Sequence, residues 1–207
     1  MTIDLRLGDC LEIMRAMPDA SVDAVITDPP YFGREDLFAT DELREQITYI
    51  LNRWNALIFY PPSKNFIREP DAEHIWHKSI PIHPNSKIGN AAGHHYEKIL
   101  SYGLGRKSEV FRFAAIMPNF AACSDELVKH PTQKPIALMV RLIEKYTREG
   151  DTILDPFMGS GTTGVACARL NRNFIGIEIN PTYFEIAQRR IAEAQAQLTL
   201  NFAEATA

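Results

Sequence analysis

A glycine-rich turn between a strand and a helix constrains the fold of this chain more than any other feature. Residues 155–164 read Asp-Pro-Phe-Met-Gly-Ser-Gly-Thr-Thr-Gly, after an apolar run and before a helix that we expect to end near Leu170. Glycines let the backbone turn tightly and let a ligand approach it closely. Glu178 ends the next predicted strand, where a carboxylate can hold both hydroxyls of a ribose. The pattern predicts an α/β domain in which this turn could bind a nucleoside.

The glycine motif alone leaves three interpretations open. Its spacing, Gly159-x-Gly161-x-x-Gly164, also fits the dinucleotide fingerprint of nicotinamide and flavin enzymes. A nucleoside cofactor without a pyrophosphate and a purely structural turn are the two alternatives. A phosphate-binding P-loop is disfavoured, because no Lys-Ser or Lys-Thr pair follows the glycines.

The rest of the chain alternates apolar runs of strand length with amphipathic helical stretches, which favours a mostly parallel sheet with helices on both faces. Seven strands are predicted, at residues 3–7, 23–27, 56–60, 73–78, 96–102, 152–155 and 174–179. Predicted helices cover residues 10–17, run from Thr40 or Asp41 to Arg53, and follow Pro135, the glycine-rich turn and Asn180. We expect the last helix to end near Gln195 and residues 196–207 to form a disordered tail.

Composition bounds the class of protein. The 207 residues are 45% hydrophobic and 23% charged, which is typical of one globular domain. Because no apolar run approaches the ~18–20 residues that cross a bilayer, and the N-terminus lacks a signal-like apolar stretch, we expect a cytoplasmic protein without a membrane partner. Cys10, Cys123 and Cys167 are widely spaced and form no CxxC pair, so neither a disulfide framework nor a metal site is expected.

Charge is distributed unevenly along the chain. The net charge is −4, yet residues 87–134 carry +3 and the remainder −7. A basic segment on an acidic body permits a polyanionic partner. An ordinary solvated surface explains the charge equally well, so this pattern permits nucleic-acid binding without predicting it.

The sequence Asp28-Pro29-Pro30-Tyr31 follows a predicted strand and therefore lies at the carboxyl edge of the sheet, where α/β proteins bind ligands. Two prolines fix the backbone and remove two N–H donors, which leaves carbonyl groups available as acceptors. A carboxylate, a carbonyl and an aromatic ring suit an amino group on a flat heterocycle. Taken alone, Asp28-Pro29-Pro30 could instead be a rigid turn that ends the strand, with Asp28 as a local cap and no role in ligand binding.

Together, the Asp-Pro-Pro-Tyr turn and the Phe157-x-Gly159-x-Gly161 turn resemble the amino-methyltransferases of DNA. Their order, with the proline turn first, resembles the circularly permuted group called beta. The resemblance spans residues 1–195, with gaps at 33–55 and 103–128. Further segments that fit it are Gly8-Asp9-Cys10-Leu11, His130-Pro131-Thr132-Gln133-Lys134-Pro135 and, less specifically, the strands around residues 73–78 and 95–100.

The resemblance implies one Rossmann-like methyltransferase domain with S-adenosylmethionine (SAM) as its cofactor. Residues 1–78 would form the catalytic half, 79–128 the sheet end and a short DNA-recognition region, and 129–195 the cofactor half. The cofactor-binding residues implied are Asp9, Cys10, His130, Thr132, Lys134, Asp155, Phe157, Gly159, Ser160, Gly161, Thr162 and Glu178.

Individual roles follow from the same resemblance. Glu178 would hold the ribose, and Asp9 with the Cys10 backbone would contact the adenine of the cofactor. Lys134 would pair with the methionine carboxylate. The catalytic residues implied are Asp28, Pro29, Pro30 and Tyr31, acting on a base flipped out of the duplex, with Tyr31 stacked on it.

The substrate expected is double-stranded DNA, methylated at adenine N6 within a restriction-modification context. Cytosine-N4 enzymes more often carry Ser before Pro-Pro, and enzymes acting on RNA or protein glutamine more often carry Asn, so Asp28 favours adenine.

A non-catalytic DNA-binding protein and an NAD-dependent oxidoreductase are the alternatives from other classes. The short recognition region suggests a homodimer. The DNA contacts expected are Lys87, Arg106, Lys107 and Arg112.

Overall fold

The computed structural model describes residues 1–30, 40–60, 67–78, 96–105, 108–113 and 133–205. Strands in these ranges are β1 (Ile3–Leu7), β2 (Ala24–Thr27), β3 (Ala56–Tyr60), β4 (Ala72–Lys78), β5 (Tyr96–Tyr102), β6 (Val110–Phe113), β7 (Thr152–Asp155) and β8 (Asn173–Glu178). Helices are α1 (Cys10–Arg15), α2 (Asp41–Arg53), α3 (Ile136–Tyr146), α4 (Thr162–Arg169) and α5 (Pro181–Ala205).

The strands form one sheet in the order β1-β8-β7-β2-β3-β5-β4-β6. The first five are parallel to one another, β5 is antiparallel to both β3 and β4, and β6 is parallel to β4. The prediction of seven strands was wrong, because β6 adds an eighth at the edge. Only four residues long, β6 is too short for its own pattern to distinguish a strand from a loop, and its pairing with β4 defines it.

Helices cover both faces of the sheet, and the side chains of the central strands alternate between two cores. Val25 and Ile58 pack on the face that α1 and α2 cover. Ile26 and Phe59 pack on the opposite face, against α3, α4 and α5. All residues of β2 and β3 are buried, as expected for strands enclosed on both sides.

Local sequence fixes where the helices begin. Asp9 caps α1, since its Oδ1 accepts a hydrogen bond from the Glu12 N–H at 2.9 Å. Thr40 caps α2 in the same way, through the Leu43 N–H at 3.2 Å, which resolves the predicted choice between Thr40 and Asp41. Pro135 immediately precedes α3, where a proline costs no intrahelical hydrogen bond.

The final helix, α5, runs from Pro181 to Ala205, past its predicted end near Gln195 and through most of the segment expected to be a disordered tail. Residues 196–205 contain neither glycine nor proline and include alanine, leucine, glutamine and glutamate, which favour helix. No helix in the described ranges combines the length and apolar character that crossing a membrane requires.

Candidate active site

The adjacent parallel strands β2 and β7 bring the proline turn and the glycine-rich turn together. Val25 is paired with Leu154, so both strands end at the same edge of the sheet. The Thr27 hydroxyl donates a hydrogen bond to Asp155 Oδ1 at 2.7 Å, directly before each turn begins. The two motifs that the sequence separates by more than a hundred residues therefore frame one site.

A cavity of about 570 Å³ opens between these turns. The proline turn contributes residues 28–30 to its wall, and the glycine-rich turn contributes residues 155–160. Residues 8–10, after β1, and Glu178, at the end of β8, complete the carboxyl edge. This is the crevice outside the carboxyl ends of parallel strands where open α/β sheets bind ligands.

The Glu178 carboxylate fixes the glycine-rich turn from the neighbouring strand. Its Oε2 accepts a hydrogen bond from the Gly159 N–H at 2.8 Å, and its Oε1 accepts one from the Asn180 N–H at 2.8 Å. Each carboxylate oxygen has a second lone pair, so these contacts leave acceptor capacity toward the cavity. The Glu178 carboxylate, which the sequence predicts to bind the ribose, is thus held in a fixed orientation at the cavity wall.

Helix α5 holds the other side of the same turn. The guanidinium of Arg190, itself buried, donates to the Ser160 carbonyl at 2.5 Å and to the Ser160 hydroxyl at 3.0 Å. Gly161 adopts a φ of +81°, and a Cβ there would lie 2.8 Å from the Cβ of Ala187. Gly161 therefore allows the turn to pack closely on α5 and does not itself line the cavity.

Asp155 is buried beneath the turn and accepts three hydrogen bonds. Donors are the hydroxyls of Thr27 and Thr163, at 2.7 and 2.6 Å, and the Phe157 N–H at 3.2 Å. Burial raises the pKa of Asp155 to about 6, although these hydrogen bonds act in the opposite direction. Asp155 thus organises the turn and adds negative charge to the cavity floor.

Lys134 lies between two carboxylates on the side of the cavity that the proline turn forms. Its Nζ is 2.6 Å from Asp28 Oδ2 and 3.1 Å from Glu97 Oε2. Burial by itself lowers the pKa of Lys134, but the adjacent Asp28 and Glu97 carboxylates raise it overall, so the ammonium form is maintained. Its pairing with a methionine carboxylate stays a prediction.

The described part of the cavity wall is strongly acidic. Lys134 is its single Lys or Arg side chain, and the acidic ones are Asp9, Asp28, Glu42, Asp155 and Glu178. Such a wall suits a ligand that carries positive charge. Glu42, in the first turn of α2, was missed by the sequence analysis, because an acidic residue there is explained by the helix dipole alone.

Most predicted site residues within the described ranges line this cavity, including Cys10, Phe157, Ser160 and Thr162. Burial raises the pKa of the Cys10 thiol to about 12, so this cysteine behaves as a small apolar residue. Arg112 is exposed on β6 and does not line the cavity. Predicted residues outside the described ranges are Tyr31, Lys87, Arg106, Lys107, His130 and Thr132.

Besides Glu42, the residues Thr27, Glu97 and Gln133 have site contacts and were not predicted. Thr27 carries no motif signal of its own, and Glu97 lies in a strand that gave no reason to single it out. Gln133 belongs to the His-Pro segment, and it is buried in the cavity wall. Only its position in that segment could have identified it from sequence.

The sheet, the acidic cavity at its carboxyl edge and the two facing turns define an α/β protein with a ligand site of the nucleoside-binding class. The chain belongs to the DNA methylase family of N6 and N4 methyltransferases, whose family model matches residues 60–189. This assignment selects SAM as the cofactor over the nicotinamide alternative that the glycine spacing left open.

Comparison with known proteins agrees with this family. The chain is 28% identical over 234 residues to the type II methyltransferase M.HpaI of Haemophilus parainfluenzae, covering 91% of this chain and 74% of that protein. The crystal structure of the M1.HpyAVI–SAM complex is 29% identical with a TM-score of 0.67, covering 92% of this chain and 99% of that one. The cytosine-N4-specific PvuII DNA methyltransferase, 14% identical over 95% of this chain and 92% of its own with a TM-score of 0.66, shares the fold.

Proposed function

We propose that this chain methylates N6 of adenine in a specific sequence of double-stranded DNA. The observation that carries the proposal is the position of Asp28. Its carboxylate lies in the wall of the cavity that Glu178 and the glycine-rich turn also form. An acceptor for an amino group and a binding site for a nucleoside cofactor therefore share one space.

The residues of the proline turn raise the nucleophilicity of the target nitrogen. When bound, SAM supplies an electrophilic methyl group on a positively charged sulfur. Asp28 and the Pro29 carbonyl accept hydrogen bonds from the two amino hydrogens, which returns electron density to nitrogen and stabilises its developing positive charge. The amino nitrogen, held by these two acceptors, would take the methyl carbon while sulfur kept the electron pair of the broken S–C bond, and one amino proton would then pass to bulk water. Such preorganised groups contribute roughly 3–4 kcal/mol each.

The cofactor roles are proposed from the positions of the described residues. Glu178 holds the ribose hydroxyls, and Asp9 with the Cys10 backbone contacts the adenine, since all three line the cavity where the adjacent strands β1 and β8 end. Phe157 and the backbone at Gly159 shape its floor. The negative charge of the wall favours the cationic sulfur.

Asp28 is the basis for proposing adenine as the target. The fold does not decide the base, since the cytosine-N4-specific PvuII enzyme shares it. An aspartate before the two prolines, where cytosine enzymes more often have serine, supports adenine. Base flipping is part of the proposal, because an amino group inside a stacked duplex cannot reach a cavity at the edge of the sheet.

The proposal also covers the subgroup of the family, the DNA contacts and the oligomeric state. The order of the turns supports the circularly permuted beta group. The exposed Arg112 on the edge strand is offered as a phosphate contact, together with Lys87, Arg106 and Lys107, and Tyr31 as the residue that stacks on the flipped base. A homodimer and a cytoplasmic location are also proposed, and the type II methyltransferase that the chain resembles supports a role in restriction-modification.

The test is methyl transfer from labelled SAM to unmethylated DNA, followed by digestion to nucleosides and mass analysis. We expect N6-methyladenine from the wild-type chain and loss of transfer in D28A, with SAM binding by calorimetry retained. RNA and protein serve as alternative acceptors in parallel. N4-methylcytosine as the product would overturn the choice of adenine, and full activity in D28A would overturn the role of Asp28.

A further inference from the structure

A largely buried group of three charges includes the first residue of the proposed catalytic turn. Lys134 precedes α3, Glu97 lies on β5 and Asp28 follows β2, so three separate segments of the chain supply it. The ammonium is 2.6 Å from Asp28 Oδ2 and 3.1 Å from Glu97 Oε2. Exposed fractions of the three side chains are 7% for Lys134, 17% for Glu97 and 23% for Asp28.

Aromatic side chains hold the ammonium of Lys134 in this position. Its Nζ lies 5.1 Å from the centroid of the Phe59 ring and 5.9 Å from that of the Trp76 ring. Both rings are almost fully buried and contact each other edge to face, with centroids 6.3 Å apart. A cation over two such faces gains electrostatic attraction in a site of low dielectric.

We infer that Lys134 and Glu97 are positioning residues that set the orientation and charge of Asp28 for methyl transfer. This inference rests on the proposed role of Asp28 as acceptor for the target amino group. Lys134 anchors the carboxylate at one oxygen, and a carboxylate so anchored retains further lone-pair positions for a substrate donor. The DNA methylase family assignment does not by itself give Glu97 a role.

Glu97 is needed because Lys134 alone would neutralise Asp28. With both carboxylates ionised and the lysine charged, the group carries one net negative charge. That charge lies beside the nitrogen that becomes positive during transfer. Without Glu97 the net charge of the group would be zero, and the stabilisation of the developing cation would fall.

Other charged groups also face Asp28. Asp155 ends the neighbouring strand β7, and the negative charge of Asp28 contributes to the raised pKa of Asp155. The remaining acidic groups of the cavity wall are Asp9, Glu42 and Glu178. None of these changes in the variants below, so differences between variants report on Lys134 and Glu97.

The experiment measures single-turnover methyl transfer to DNA against pH, at saturating SAM, in E97Q and K134Q. Removing the Glu97 charge is expected to move the acid limb of the profile to lower pH by on the order of 0.5–1 unit, with the rate about ten-fold lower. Removing the Lys134 charge leaves two adjacent carboxylates and is expected to move the limb up by about 1–3 units. E97D keeps the charge and should retain the wild-type limb.

A matched control is E73Q. Glu73 pairs with Lys98 at 2.9 Å on the same two strands, β4 and β5. Because Leu100, the register partner of Glu73, packs on the core that α1 and α2 cover, this pair lies on the opposite face of the sheet from Phe59 and Trp76. E73Q should leave both the rate and the acid limb unchanged.

The double variant E97Q/K134Q provides a second measurement if a single variant fails to fold. The acid limb of its pH profile should lie between those of the two single variants. Limbs that coincide, or that move in the same direction in E97Q and K134Q, would overturn the inference. So would a K134Q effect confined to SAM affinity, with the full rate recovered at saturation. The assay counts all methyl groups transferred to DNA, whichever base receives them. Methylation of cytosine would therefore refute the choice of adenine but would not affect the test of Lys134 and Glu97.

Discussion

The Thr27 hydroxyl donates a hydrogen bond to Asp155 Oδ1 at 2.7 Å, and both side chains are buried. Thr27 ends the strand before the proline turn, and Asp155 ends the strand before the glycine-rich turn. This one contact joins the start of the proposed catalytic turn to the start of the cofactor turn. It fixes the distance between the two groups that methyl transfer has to align, and orientation of this kind supplies a large part of enzymatic rate enhancement.

Replacing Thr27 with valine should therefore reduce stability and cofactor affinity together. T27V leaves the buried Asp155 carboxylate without one of its donors, which costs about 1–3 kcal/mol. Urea denaturation measures the loss, and calorimetry with SAM measures the affinity. T48V is the control, since the Thr48 hydroxyl bonds only within α2 to the Arg44 carbonyl and should change stability by less than about 0.5 kcal/mol.

Asp155 should give the protein a stability that depends on pH in a defined direction. Its pKa is about 6 in the fold against 3.8 ordinarily, so the folded state binds the proton more tightly. The contribution of this group is fully present below pH 3.8 and is lost as pH rises through about 6. Relative to D155N, the wild-type free energy of unfolding should fall by about 1–3 kcal/mol across this window. A constant difference between the two proteins would contradict the assignment.

Gly161 should tolerate alanine poorly for two separable reasons. Its φ of +81° is unfavourable for alanine, and the new Cβ would meet Ala187 at 2.8 Å. Gly150, with a φ of +86° and no atom within 4 Å of an added Cβ, isolates the backbone cost. We expect G150A to cost about 1 kcal/mol and G161A about 2–4 kcal/mol in urea denaturation. Equal losses would show that the contact with α5 is not close.

Arg190 should couple α5 to cofactor affinity. R190M removes the two hydrogen bonds to Ser160, at 2.5 and 3.0 Å, and leaves the turn carbonyl without a charged donor. We expect a loss of about 1–3 kcal/mol in stability and several-fold weaker SAM binding by calorimetry. The neighbouring Arg189 is exposed, so R189M should leave both quantities unchanged.

Local sequence signals predicted the parts of the fold that depend on neighbouring residues. A cap at Thr40 or Asp41, the apolar runs of β2 and β3 and the turn at Gly159–Gly161 each follow from side-chain chemistry within a few positions. The short edge strand β6 could not be predicted in this way. Its four residues become a strand only through pairing with β4, more than thirty positions earlier.

The sequence by itself determined the two motifs, their order and the chemistry that each can perform, because these properties belong to residue types at fixed local spacing. It also determined the family, since those motifs occur together in one order. Only the tertiary structure decided that Lys134 lies between Asp28 and Glu97. That grouping brings together residues from three separate segments. The register of the sheet and the packing of Phe59 and Trp76 determine it, so no local pattern of charges could predict it.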